Sequence, residues 1–74
     1  MPLIQVRVIK DVFSKDQKRV IIGKLTDAMV SIEGENMRSV TWCVIEEVES
    51  GDWGIGSNAL TTSDVHALAR GKAA

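Results

Sequence analysis

Position 2 holds the residue with the most specific chemistry to offer, a proline directly behind the initiator methionine. Met1 is commonly removed ahead of a small residue, proline included, and its loss would expose Pro2 as a secondary amine. Such an amine is a useful general base only if it is neutral near the working pH. An apolar pocket disfavours the ammonium form, and nearby cations disfavour it further, so both lower the pKa. From residue type alone, Pro2 also reads as an ordinary second residue.

Trp53 is the second candidate. It sits in Gly51-Asp52-Trp53-Gly54-Ile55-Gly56, three glycines in six residues around one large ring. Glycine permits tight turns, so the stretch reads as a shaped loop or short hairpin that places the indole. The ring could wall a pocket, exclude water and help keep a neighbouring amine neutral; it could equally be core or interface. The stretch lacks the lysine-Ser/Thr ending of a phosphate loop and the glycine spacing of a dinucleotide fold.

Other reactive side chains read as structural. Trp42 lies in an apolar run and reads as packing. Cys43, the single cysteine, has no adjacent basic residue and reads as a buried, inert thiol. His66 falls on a surface helix and reads as solvated. Glu46 and Glu47 point to opposite faces of a strand, so they form no acid–base dyad, although either could polarise a water. No Cys/His constellation suggests a metal, and nothing calls for a cofactor.

The elements that must position these residues follow from periodicity. Leu3 to Ile9 is an apolar, β-branched run expected to be a strand. Ile4, Val6 and Val8 share one face; Leu3, Gln5, Arg7 and Ile9 share the other. Ser14-Lys15-Asp16-Gln17 has the form of a capping box. Behind it, Ile21, Leu25, Ala28 and Ile32, widened by Ile22 and Met29, trace the stripe of an amphipathic helix. Gly34 is its natural stop. Val40 to Val48 is a second strand, which makes a βαβ unit with parallel strands. Thr61 to Asp64 is another capping signal, leading a short helix with Val65, Leu68 and Ala69 on its apolar side. The tail after Gly71 reads as frayed.

Seventy-four residues allow one domain, 1–74, with a small core. Neither disulfides nor a metal can staple it, yet 45% of the residues are hydrophobic. Two strands do not make a stable sheet alone, so self-association is the physical way out. Nine basic and ten acidic side chains give a net charge of −1, with no basic stripe to favour nucleic acid. No apolar run approaches a membrane span, and one thiol without an export signal fits the cytoplasm.

Read together, these features resemble the 4-oxalocrotonate tautomerase family. The resemblance rests on Pro-Leu-Ile-Gln-Val after Met1, the Ser-Lys-Asp-Gln-Lys helix start, Ser39-Val40 entering strand two, and Gly-Asp-Trp-Gly-Ile-Gly. It covers about residues 2–56, leaving 57–74 as a carboxy-terminal extension. It implies an α+β fold: a βαβ unit, then a small hairpin or short helix, completed by oligomerisation as a hexamer (a trimer of dimers). It also implies a keto–enol tautomerase acting on a small enolisable α-keto acid or related carbonyl compound. Pro2 would then be base and acid, and Trp53 the aromatic wall. Family arginines that grip a substrate carboxylate should fall near Val12 or Phe13 and at Thr41 or Trp42, where this chain has none. Arg38 is the expected substitute among Arg7, Lys10 and Arg38, with Thr41 and Trp42 beside it. The lost arginines point to a monoacid or aromatic substrate. Two alternatives stay open: a hydratase or dehalogenase of small unsaturated acids, using Glu46 or Glu47 to activate water, and a non-catalytic binding oligomer.

Overall fold

The computed structural model of the chain describes residues 1–71, so the tail expected after Gly71 lies outside the described residues. The order is β1 (Leu3–Ile9), α1 (Lys15–Glu33), a 3-10 stretch (Glu35–Val40), β2 (Trp42–Val48), β3 (Trp53–Ile55), β4 (Asn58–Leu60) and α2 (Thr62–Ala69). β1 and β2 pair in parallel, from Leu3 opposite Trp42 to Ile9 opposite Val48. β3 and β4 form a separate antiparallel hairpin. This is the α+β arrangement the sequence implies. Val40 differs: it closes the 3-10 stretch instead of opening β2.

α1 starts where Ser14 caps it. The Ser14 hydroxyl accepts from Gln17 N–H at 3.1 Å, and the Gln17 side chain accepts from Ser14 N–H at 2.9 Å. Two backbone donors that no helical carbonyl could reach are thereby satisfied. Ser14→Ala should lower stability by about 1 kcal/mol. A urea titration would show it as a lower midpoint at unchanged slope, and an unmoved midpoint would argue against the cap's importance. Gly34 ends the helix at φ 106°, a backbone angle that side-chain-bearing residues resist.

The buried stripe of α1 is not quite the expected one. Ile21, Leu25 and Met29 turn inward with Val30, which is buried, whereas Ala28 is exposed and Ile32 is 85% exposed. Residues spaced by four form a ridge oblique to the helix axis, and that ridge is what lies over the strand pair. Ala28 and Ile32 fall off it. On α2, Val65 is half-buried, while Leu68 and Ala69 are exposed, against expectation. Cys43 is half-buried, not buried.

The chain alone has little core. Among the described residues, Ile9 and Val30 are the buried apolar side chains, each 5% exposed. The accessible surface is 5399 Å², where a compact monomer of this mass exposes about 4500 Å². The radius of gyration is 15.0 Å, against about 11 Å for a compact domain of this length. Leu3, Trp42 and Val44 lie uncovered on the sheet face that turns away from α1.

Candidate active site

The sequence candidates fall at two ends of the strand pair. Pro2 stands just ahead of β1, and its carbonyl accepts a hydrogen bond from Trp42 N–H at 3.0 Å. That bond extends the parallel ladder by one step and anchors the residue through its carbonyl, leaving the nitrogen out of the ladder. Thr41, Trp42 and, through the 3-10 stretch, Arg38 belong to this end. Trp53 belongs to the other. It packs in a cleft with Val8 and Ile9 of β1, Val12 and Phe13 of the following loop, Leu60 of β4 and Val65 of α2. A strand rises about 3.3 Å per residue, so Pro2 and Val8 stand about 20 Å apart. One chain does not bring Pro2 and Trp53 together.

The polar groups at the proline end are already engaged. The Arg38 guanidinium donates to Glu35 at 2.7 and 3.3 Å and to Asp27 at 2.8 Å. Hydrogen bonds to Glu35 first, then to Asp27, push its pKa up, and the same Arg38 bond holds the Glu35 carboxyl below its usual range. The Thr41 hydroxyl lies 2.5 Å from a Glu33 carboxylate oxygen and 2.8 Å from the Met37 carbonyl. Trp42 is 57% exposed beside Leu3, a surface ring in the single chain.

At the tryptophan end the cleft is about 260 Å³, open on one side, and every residue lining it is apolar. Trp53 is positioned by a two-residue turn in which Gly56 (φ 52°) and Ser57 (φ 73°) are both left-handed. This is the geometry that matches strand twist in a tight hairpin. Nothing in the sequence spacing marks Val12, Phe13, Leu60 and Val65 as one group. The available signal was an apolar pair, Val12-Phe13, in an otherwise polar loop ahead of the helix cap.

The acidic pair separates as its strand parity requires. Glu46 faces Arg7 across the sheet at 4.0 Å, and Glu47 turns toward α1, where Lys18 lies at 3.1 Å. The bond to Lys18 is the main cause holding the Glu47 carboxyl below its ordinary range, helped by the Asp11 N–H at 3.4 Å. A depressed folded-state pKa stabilises the fold above the unfolded value near 4.5 and loses that contribution as pH falls through the lower folded value. Glu47→Gln should therefore flatten the dependence of the urea midpoint on pH below about 4.5. Identical profiles for the variant and the parent would contradict this.

His66 is half-buried and makes a tertiary contact where a fully solvated side chain is expected. Its Nε2 lies 3.0 Å from the Asp11 carbonyl oxygen, 55 residues away in sequence. A carbonyl only accepts, so Nε2 carries the hydrogen. Among the described residues no helix is long and apolar enough to cross a membrane.

The site is thus carried by a helix beside two parallel strands, followed by a hairpin that places an aromatic ring in an apolar cleft. Residues 2–63 match the family described as "Tautomerase enzyme". "Probable tautomerase K2" of Dickeya dadantii (strain 3937) is 36% identical over 61 residues, covering 82% of this chain and 90% of that protein. A structure of the 4-oxalocrotonate tautomerase isozymes from Methylibium petroleiphilum superposes with a TM-score of 0.68 at 26% identity, over 86% of this chain and 97% of that one. The chain belongs to the tautomerase family, and its activity is that of an isomerase. The family match runs past the expected end near residue 56, through β4 and into the first turn of α2.

Proposed function

We propose that the chain, freed of Met1, interconverts the enol and keto forms of a small enolisable α-keto acid or related carbonyl compound, with the Pro2 amine as the proton carrier. The observation that supports this most is the anchoring of Pro2 at the head of β1, on a rigid element instead of a loose terminus. The neutral amine takes the enol proton, or a proton from carbon beside the carbonyl. It then returns a proton at the alternative position, acting as base and then acid. While Met1 is attached, the Pro2 nitrogen is an amide and has no such basicity.

The site we propose is shared between chains. Pro2 and Trp53 lie too far apart in one chain to hold one small substrate, so Pro2 of one copy would face the Trp53 cleft of another. The surface in excess of a compact monomer supports association, and the Leu3–Trp42–Val44 face is where it would be buried. A hexamer, a trimer of dimers, is the assembly we propose, in the cytoplasm, where a lone thiol stays reduced. Arg38 is the cation proposed to approach the substrate carboxylate, with Thr41 and Trp42 beside it. It would have to exchange a Glu35 or Asp27 contact for the substrate, which costs binding energy and favours a singly charged acid.

The test is ketonisation of phenylenolpyruvate, followed by loss of enol absorbance, with processing of Met1 verified by intact mass. Acceleration over buffer is expected. A correctly processed protein that leaves the buffer rate unchanged would sink the reading, and halide release from a 3-haloacrylate would replace it with the hydrolytic one.

A further inference from the structure

We infer that α2 forms one wall of the substrate cleft and is latched in place by His66 and Thr62, and that the cleft it completes takes an uncharged aryl or branched-alkyl group of the substrate. The inference rests on the reading that the Trp53 cleft belongs to the active site. Val65 and His66 lie just beyond the residues matched to the family, 2–63.

The latch is a set of side chains gripping the loop after β1. Thr62 Oγ1 donates to the Lys10 carbonyl at 2.6 Å, and His66 Nε2 donates to the Asp11 carbonyl at 3.0 Å. Thr62 N–H is held by Ser50 Oγ at 2.9 Å. Thr61 and Asp64 close a capping box at the start of α2, with bonds of 3.0 and 3.1 Å. Asp11 is itself left-handed at φ 66°, so its carbonyl is aimed by an unusual backbone angle. With both anchors made, Val65, one residue before His66, lines the cleft together with Trp53.

The cleft's chemistry selects its occupant. An apolar cavity of about 150 Å³ accepts a benzene ring and excludes water. At about 260 Å³ this one holds a ring with room for its attachment. Among the described residues no cation lines it, and Lys10 and Lys18 are paired, with Glu49 at 3.5 Å and with Glu47 at 3.1 Å. The Lys10 and Asp11 carbonyls are taken by the latch. A charged group entering here would lose water and gain no partner, whereas an apolar group gains about 25 cal/mol per Å² buried.

The test separates this wall from the proline chemistry by reading equilibrium binding. Phenylacetate and acetate are titrated into the processed, assembled protein while tryptophan fluorescence is followed, with Trp53→Phe as the signal control. Phenylacetate should bind saturably, in Pro2→Ala as well as in the parent, and acetate should not. Val65→Trp should weaken phenylacetate by about tenfold or more, and raise KM for phenylenolpyruvate by a larger factor than KM for the enol of pyruvate. His66→Ala should weaken phenylacetate several-fold, and His66→Gln, which keeps an N–H donor, should restore it. Should Val65→Trp fail to assemble, Val65→Ala should shift preference toward naphthylacetate. Absence of saturable binding, or equal losses for the phenyl and pyruvate substrates, would overturn the proposal; intact phenylacetate binding in Pro2→Ala despite lost turnover would support it.

Discussion

Pro2→Ala, processed to a free amino terminus, is expected to lower kcat/KM for phenylenolpyruvate ketonisation by about 10²–10⁴-fold, the range a positioned general acid–base supplies. In free energy that is about 3–5 kcal/mol of transition-state stabilisation. Alanine still leaves an amine, but a primary one that lacks the ring fixing its direction. A form that retains Met1 should lose the reaction more fully, because its Pro2 nitrogen is an amide. Neither change should alter the fold much. Trp42 N–H still finds the residue 2 carbonyl, and the apolar faces of β1 and β2 are untouched. A Pro2→Ala protein within twofold of the parent would remove the amine from the mechanism. Trp53 and the cleft around it would then have to explain catalysis without it.

The second large effect comes from mixing two crippled proteins. Pro2→Ala lacks the base, and Trp53→Ala should lose about tenfold or more through its missing apolar wall. If each site combines Pro2 of one copy with Trp53 of another, unfolding, mixing and reassembling the two at equal amounts restores some intact sites. Random assembly of a symmetric oligomer should give about a quarter of parental activity. A site made within one chain predicts only the average of the two parents. The separation of about 20 Å along β1 is the reason to expect complementation. A mixture no better than that average would place both residues' chemistry in one chain, or show that the copies do not exchange.

The two outcomes also bear on stability. With Ile9 and Val30 as the buried apolar residues among those described, the isolated chain has a core too thin to be robust. Its exposed Leu3, Trp42 and Val44 are an apolar cost until another copy covers them. Assembly, stability and catalysis are therefore linked in this reading: the contact that stabilises the chain is also the one that would complete the site.

By itself the sequence determined what neighbouring residues settle among themselves. Ser14 and Gln17 are three residues apart and form their capping box whatever surrounds them. Gly34 ends α1 because of its own backbone freedom, and the alternation of Ile4, Val6 and Val8 sets the inner face of β1. Pro2 and Trp53 were visible as candidates because their types and local settings are unusual. Tertiary structure decided everything that joins distant residues. Val30 is buried and Ile32 exposed because an oblique ridge of α1, not its average stripe, meets the strands. Arg38 is committed to Asp27, eleven residues back, and that pairing follows from where the 3-10 stretch returns the chain. His66 reaches Asp11 only because α2 folds over the end of β1. The two ends of the candidate site are divided by the length of a strand, a distance with no trace in residue type, since composition carries chemistry and only the path of the backbone carries position.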